Sequence, residues 1–173
     1  MNISQIPAVS GNNFNVIIEV PMHSSPVKYE LDKESGALFV DRFLATPMHY
    51  PCNYGFIPHT LSEDGDPVDV LVVSDFAINP LSVVAVKPIG VLLMEDEKGP
   101  DEKIIAVPAL KLNSVFENID SHQQLPALLL KQIQHFFEHY KDLEKNKWVK
   151  VVGFESVEIA KQLIQKAIER VQK

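Results

Sequence analysis

With a single cysteine, Cys52, among 173 residues, the chain can build neither an internal disulfide framework nor a cysteine-rich zinc site. A reducing compartment, the cytoplasm, is the expected location. Basic charge is also short: 16 Lys and Arg stand against 23 Asp and Glu, a net charge of -7, where a binder of phosphate backbones carries a basic surplus. Nucleic acid is therefore not an expected partner. No segment reaches the roughly 18 uninterrupted apolar residues that a membrane helix needs. The first residues lack the basic-then-apolar pattern of a signal peptide, so the chain reads as soluble and unprocessed, with no membrane partner. A Gly-x-x-x-x-Gly-Lys phosphate loop is missing too, which removes the commonest route to nucleotide hydrolysis.

What is present suffices for one core. At 46% hydrophobic residues, a chain of this length offers little material for a second, so residues 1–173 read as a single domain. Period-two patterning dominates the first two-thirds and helical spacing the last third. Phe14, Val16, Ile18 and Val20 alternate along one face of a strand, leaving Glu19 on the other. Val27 to Asp32 and Ala37 to Phe43 read as a hairpin across the turn Lys33–Gly36, with Arg42 near its far end. Strands are also expected at Val68–Val73, Ser82–Met94, Lys103–Val107 and Trp148–Val152. A helix opens at Pro126 and runs to about Leu143, with Leu129, Leu130, Ile133, Phe136, Phe137 and Tyr140 on its apolar face. A second, capped by Ser156, buries Ala160, Leu163, Ile164, Ala167, Ile168 and Val171. The expected class is mainly β with flanking helices (α+β): a small barrel or curled sheet with two helices packed outside.

Asp64, Asp66 and Asp69 crowd a stiff Gly- and Pro-containing turn just before a strand. Three carboxylates so close repel one another unless cations or protons intervene, and oxygen-only ligation suits Mg²⁺, Mn²⁺ or Ca²⁺. A plain solvated acidic turn is the rival reading. A helix-flanked calcium loop would need an oxygen ligand at Val68, Gly at Asp69 and Glu at Asp75, and it fails at each. A second acidic turn, Glu95 to Lys103, contains Asp96, Glu97 and Asp101; alone it reads as a solvated hairpin tip, but two such turns on one small sheet can converge into a basin for several metal ions. Lys28, Arg42, Lys103 and Lys141, with Tyr50, Tyr54 and Tyr140 as phenolic donors, form a complementary set for an anion.

These blocks, in this order, resemble the soluble family I inorganic pyrophosphatases of the bacterial type. The signature Asp-x-Asp-Pro-hydrophobic-Asp-hydrophobic is met by Asp64, Asp66, Pro67, Val68, Asp69 and Val70. Around it stand Lys28-Tyr29-Glu30, Lys33 to Arg42, Tyr50 to Gly55 and His135 to Leu143. The resemblance implies a five-stranded barrel of the oligonucleotide-binding (OB) type and a homohexamer. It implies hydrolysis of pyrophosphate by direct attack of water with several Mg²⁺ ions as cofactors, Mn²⁺ or Zn²⁺ being possible substitutes. Asp66 would be the general base. Asp64, Asp69 and Asp101 would hold a first metal, Asp69 reaching a second; Asp96 and Asp101 would hold an ion arriving with substrate, and Glu19 and Glu30 would line the basin. Lys28, Arg42, Tyr54, Lys103, Tyr140 and Lys141 would grip phosphate, with Tyr50 and Glu97 alongside. The acidic chain would then meet an anionic substrate through its cations. His49, Phe56, Asn146 and Phe154 depart from the usual family residues, and all four are expected to lie off the site.

Two rivals stay open: a metal-dependent nucleotide phosphohydrolase and a non-catalytic OB-type binding barrel, the latter wanting a basic groove with stacking aromatics. His135 and His139 share a helix face at i, i+4, yet Phe136 stands where a zinc protease needs Glu, so packing or subunit contact is expected of them rather than zinc. A structural role is expected of Cys52.

Overall fold

The structure, a computed structural model, describes residues 2–171. Ten strands and two α-helices run in the order β1 (Val9–Ser10), β2 (Asn13–Val20), β3 (Val27–Leu31), β4 (Leu38–Phe43), β5 (Asn53–Phe56), β6 (Asp69–Val72), β7 (Val83–Asp96), β8 (Gly99–Pro100), β9 (Lys103–Pro108), α1 (Ala127–His139), β10 (Val149–Glu155) and α2 (Val157–Val171). Strands β2, β5, β6, β9 and β7 pair in that circular order, and β7 returns to β2. The five form the closed ring of an OB-type barrel; β6 and β9 are its parallel pair and every other seam is antiparallel. The hairpin β3–β4 forms its own two-stranded sheet.

Both faces of the ring are apolar, which is why its strands read as nearly continuous runs of Val, Ile and Leu. On one face Val16, Ile18, Val70, Val72, Ile104 and Ala106 pack with Ala160, Ile164 and Ala167 of α2. On the other, Val20, Leu71, Val73, Ile105 and Val107 pack with Ile133, Phe136 and Phe137 of α1. Val20 therefore does not share a face with Val16 and Ile18, contrary to simple alternation. The β2–β5 register jumps from Ile18 opposite Gly55 to Val20 opposite Tyr54, and this bulge leaves Glu19 unpaired and swaps the faces beyond it. A second bulge in β7, between Pro88 and Gly90, does the same for Val86 and Val91, which join one core on either side of it.

The expected end of one helix changes. Helix α1 ends at His139 rather than near Leu143; Tyr140 caps it and a turn follows, held by Glu144 N–H donating to the Lys141 carbonyl at 2.9 Å. In α2 the expected stripe faces the core, with Ala160, Ile164 and Ala167 buried and Leu163 and Ile168 partly so, but Val171 is exposed. Strand β5 was not expected as a strand. It is only four residues long, lies behind Pro51 and contains Gly55.

That glycine closes the ring. A Cβ at Gly55 would stand 2.0 Å from the Ile17 carbonyl oxygen, a backbone atom that cannot move without opening the β2–β5 seam. Gly55→Ala is accordingly expected to cost at least about 3 kcal/mol, at the severe end for single substitutions. Urea unfolding measures it, and a loss under about 1 kcal/mol would contradict the close approach.

Candidate active site

Along the face of the ring that packs on α1, the apolar ladder turns charged at one end. Leu71 and Val73 give way to Asp69, Ile105 and Val107 to Lys103, and Met94 to Asp96. Asp69 and Lys103 are direct register partners on the parallel strands. The turn Asp64–Asp69 and the tip of the β7–β9 connection then meet over this end. A cavity of about 80 Å³ is lined by Asp64, Asp66, Asp69, Asp96, Glu97 and Asp101 together with Lys28, Arg42, Lys103, Lys141, Tyr50, Tyr54 and Tyr140. An adjoining lobe of about 120 Å³ shares Lys28, Tyr54, Asp66 and Asp69 and adds Glu19 and Glu30. Every residue expected at the site lines one lobe or the other.

The bulge in β2 aims Glu19 inward. Its Oε1 accepts a hydrogen bond from Leu31 N–H at 2.7 Å, tying the β3–β4 hairpin to the ring. Burial, with Asp69 and Glu30 nearby, pushes its carboxyl up to about 8. Asp64 is raised as well, by burial first and then by the charges of Asp101, Asp66 and Asp69. Burial leads both shifts and neighbouring carboxylates add to them, more than the site's own cations offset at these two groups.

Those cations are nevertheless close at hand. Lys103, almost wholly buried, donates to Asp69 at 2.5 Å and also to Asp101. Burial alone would strip its proton; the two carboxylates outweigh that and hold the ammonium charged. Lys141 donates to Asp96 at 2.6 Å, and against the pull of burial this bond holds the Asp96 carboxyl below its usual range. Lys28 pairs with Glu30 and, at 3.4 Å, with Asp41. Burial also pushes Tyr50, Tyr54 and Tyr140 above the ordinary phenol range, so all three present O–H donors rather than phenolates.

Several residues at the site carried no sequence signal. Lys98, with Nζ 3.8 Å from Asp66, and Lys147, paired with Glu97, line the cavity. Glu144 lies 3.5 Å from Arg42. All three sit in charged turns that look solvated in sequence; their one clue is adjacency to Asp96 or Lys141. Phe56, expected off the site, lines the Glu19 lobe, because its strand crosses beneath the β2 bulge. The other three departures from family residues stay outside both lobes. His49 donates to the Ser24 carbonyl at 2.6 Å, Phe154 stacks on His122, and Asn146 takes a left-handed φ of 62°, where glycine is the easier choice.

The anionic donor set suits hard cations: it is all carboxylate oxygen, and Asp64, Asp69 and Asp101 line the same cavity. Among the described residues no three His, Cys, Asp or Glu side chains form a ready-made cage, and Lys103 already spans Asp69 and Asp101. Mg²⁺ fits such an open basin, because it keeps several waters and takes its other ligands from one or two carboxylates and from phosphate oxygens.

Residues 16–172 match the inorganic pyrophosphatase family. The chain belongs to that family. An inorganic pyrophosphatase of Rickettsia bellii is 61% identical over 174 aligned residues, covering 100% of this chain and 99% of its own. The solved inorganic pyrophosphatase of Coxiella burnetii superposes with a TM-score of 0.93 at 50% identity, over 96% of this chain and 99% of that one. That of Thermus thermophilus has a TM-score of 0.93 at 42% identity, over 100% of both chains. The family is metal-dependent, in keeping with the oxygen-rich basin.

Glu19 makes the pH behaviour of the inorganic pyrophosphatase fold testable. Without divalent cations the unfolded carboxyl releases its proton near 4.5, whereas the folded one retains it to about 8. The unfolded chain therefore binds fewer protons across that window, and stability falls as pH rises from 4.5 to 8. Urea unfolding in chelator should show wild type losing on the order of a few kcal/mol more than Glu19→Gln between pH 5 and pH 8. Parallel losses in the two proteins would contradict the burial.

Proposed function

We propose that the chain hydrolyses inorganic pyrophosphate to two orthophosphates in the cavity described, as its family does. One observation carries the reading: six carboxylates from two turns and an alternating set of lysine, arginine and phenol donors line one small cavity. A phosphate tetrahedron with several negative charges needs both, cations for its charge and donors for its oxygens.

In this reading Lys28, Arg42, Lys103 and Lys141 bind the phosphate oxygens with the phenols of Tyr54 and Tyr140, while Tyr50 braces Tyr54 at a ring separation of 5.1 Å. A water attacks one phosphorus, the bridging P–O bond breaks, and the second phosphate leaves with the electron pair. Asp66 orients the water and takes its proton. It is suited to this because it is exposed in the cavity mouth, where its nearest cation is Lys98 at 3.8 Å. Asp64, Asp69 and Asp101, with Asp96, Glu19 and Glu30, would hold Mg²⁺ ions, with Mn²⁺ or Zn²⁺ as substitutes. Those ions would supply charge neutralisation and acidify water. Glu97 shapes the wall by holding Lys147 and facing Lys141. Lys103 must loosen its hold on Asp69 and Asp101 as cations and substrate arrive.

The same reading extends to setting. An unpaired, buried Cys52 whose thiol burial pushes up to about 12 is at home in the cytoplasm. No helix among the described residues is long and apolar enough to cross a membrane. A homohexamer is the proposed assembly; Phe39 and Phe43 of β4, and His135 and His139 of α1, are exposed and available to subunit contacts.

Phosphate release from pyrophosphate and from ATP, with Mg²⁺ and with chelator, tests the proposal. Rapid turnover of pyrophosphate, abolished by chelation and lowered about a hundredfold or more by Asp66→Asn, is expected. Turnover of ATP without pyrophosphate, or activity indifferent to chelation, would refute it.

A further inference from the structure

Arg42 has a less secure footing in the cavity than Lys103 or Lys141, whose ion pairs are shorter and whose side chains are more buried. It sits on β4 of the outlying hairpin, opposite Lys28 and beside a bulge between Lys28 and Tyr29. The bulge re-aims the strand locally, and contacts from outside the hairpin help set the direction of the long side chain. Two carboxylates approach the guanidinium: Asp41 at 3.4 Å from Nη1 and Glu144 at 3.5 Å from Nε. The Glu144 contact has an unusual property. Arg42 Nε and Glu144 Oε1 are both shut off from solvent, and neither has a hydrogen-bond partner. Buried polar atoms left in that condition cost on the order of 1–3 kcal/mol each; a small closing movement along the 3.5 Å line satisfies both at once.

Glu144 is also well anchored. Its N–H donates to the Lys141 carbonyl at 2.9 Å and its carbonyl accepts from Lys147 N–H at 3.3 Å. It thus belongs to the turn that follows α1, the same turn that presents Lys141 and Lys147 to the cavity. Among the charges that outweigh burial and keep Arg42 ionised, that of Glu144 is the largest. A planar guanidinium held along its Nε edge, with Asp41 near Nη1, keeps Nη2 to turn toward phosphate. The turn after α1 would then set two cations at once, Lys141 directly and Arg42 through Glu144.

We infer that Glu144 is a positioning residue: it holds the Nε edge of Arg42, registering the hairpin's guanidinium against the helix-borne Lys141 for phosphate binding. The inference rests on the proposed pyrophosphate hydrolysis, and its test separates the two. Steady-state kinetics on pyrophosphate is measured for wild type, Glu144→Gln, Arg42→Ala and the double variant. Wild-type turnover reports on the function; the coupling reports on Glu144. Glu144→Gln should lower kcat/KM about tenfold, mostly through KM, and should change it less than about twofold when Arg42 is already Ala. Equal factors in both backgrounds, or no effect in either, would overturn the inference. Should Glu144→Gln not fold, Glu144→Asp, which keeps the charge on a shorter arm, carries the same cycle. A readout independent of turnover is the Arg42 Nε–H resonance by NMR, expected to shift and exchange faster with water in the Glu144 variant. An unchanged resonance would overturn the inference, because a tie that merely braces hairpin to turn does not act through that proton.

Discussion

A buried ammonium shared by two carboxylates, one on the neighbouring strand and one just before its own, governs this molecule. Lys103 and Asp69 are opposite one another on the ring's parallel pair, and Asp101 stands two residues before Lys103. Removing Lys103 would leave two carboxylates side by side without the cation between them, which is destabilising unless another cation takes its place. The triad therefore fixes the open end of the barrel and, in doing so, fixes the positions of the groups that surround it. Tyr54 lies under the Lys103 ammonium at 5.9 Å, and Glu19 and Asp64 are driven upward by burial first and by the neighbouring carboxylates second.

The site continues the core rather than being attached to it. The same strand face that packs Leu71, Ile105 and Met94 beneath α1 ends in Asp69, Lys103 and Asp96. Tyr50, Tyr54 and Tyr140 belong to both, with rings in the core cluster and hydroxyls at the cavity. Catalytic geometry is thereby held by rigid, close-packed elements, the arrangement that best limits side-chain wandering. The hairpin β3–β4 is the exception: it brings Lys28, Glu30 and Arg42 from outside the ring. It is attached by Leu31, which packs with Ile17 and Phe56 of the ring, and by two polar ties, Glu19 to Leu31 N–H and Glu144 to Arg42.

Sequence patterning reads the parts of this fold that are local. Hairpin, long strands and both helices follow from residue periodicity, and the acidic turn stands out because three carboxylates in six residues demand an explanation. What escapes is non-local. Ring closure depends on Gly55 passing beneath the Ile17 carbonyl, and nothing about an isolated glycine announces that. The β2 bulge at Glu19 reverses the face of Val20 without any change in the alternating pattern that conceals it. Glu144 and Lys147 look like ordinary solvated charges until the turn after α1 folds over Arg42 and Glu97. Charge runs are ambiguous in sequence for this physical reason: their meaning depends on what faces them.

On the proposed reading, Lys103 holds the place that a metal ion would take between Asp69 and Asp101. Calorimetric titration of chelator-treated protein with Mg²⁺, for wild type and for Lys103→Met, tests it without recourse to catalysis. A methionine fills the buried stem but withdraws the competing charge, so Mg²⁺ should bind at least about fivefold more tightly to the folded variant in the absence of pyrophosphate. Equal or weaker binding by a variant that retains the wild-type fold would contradict the claim.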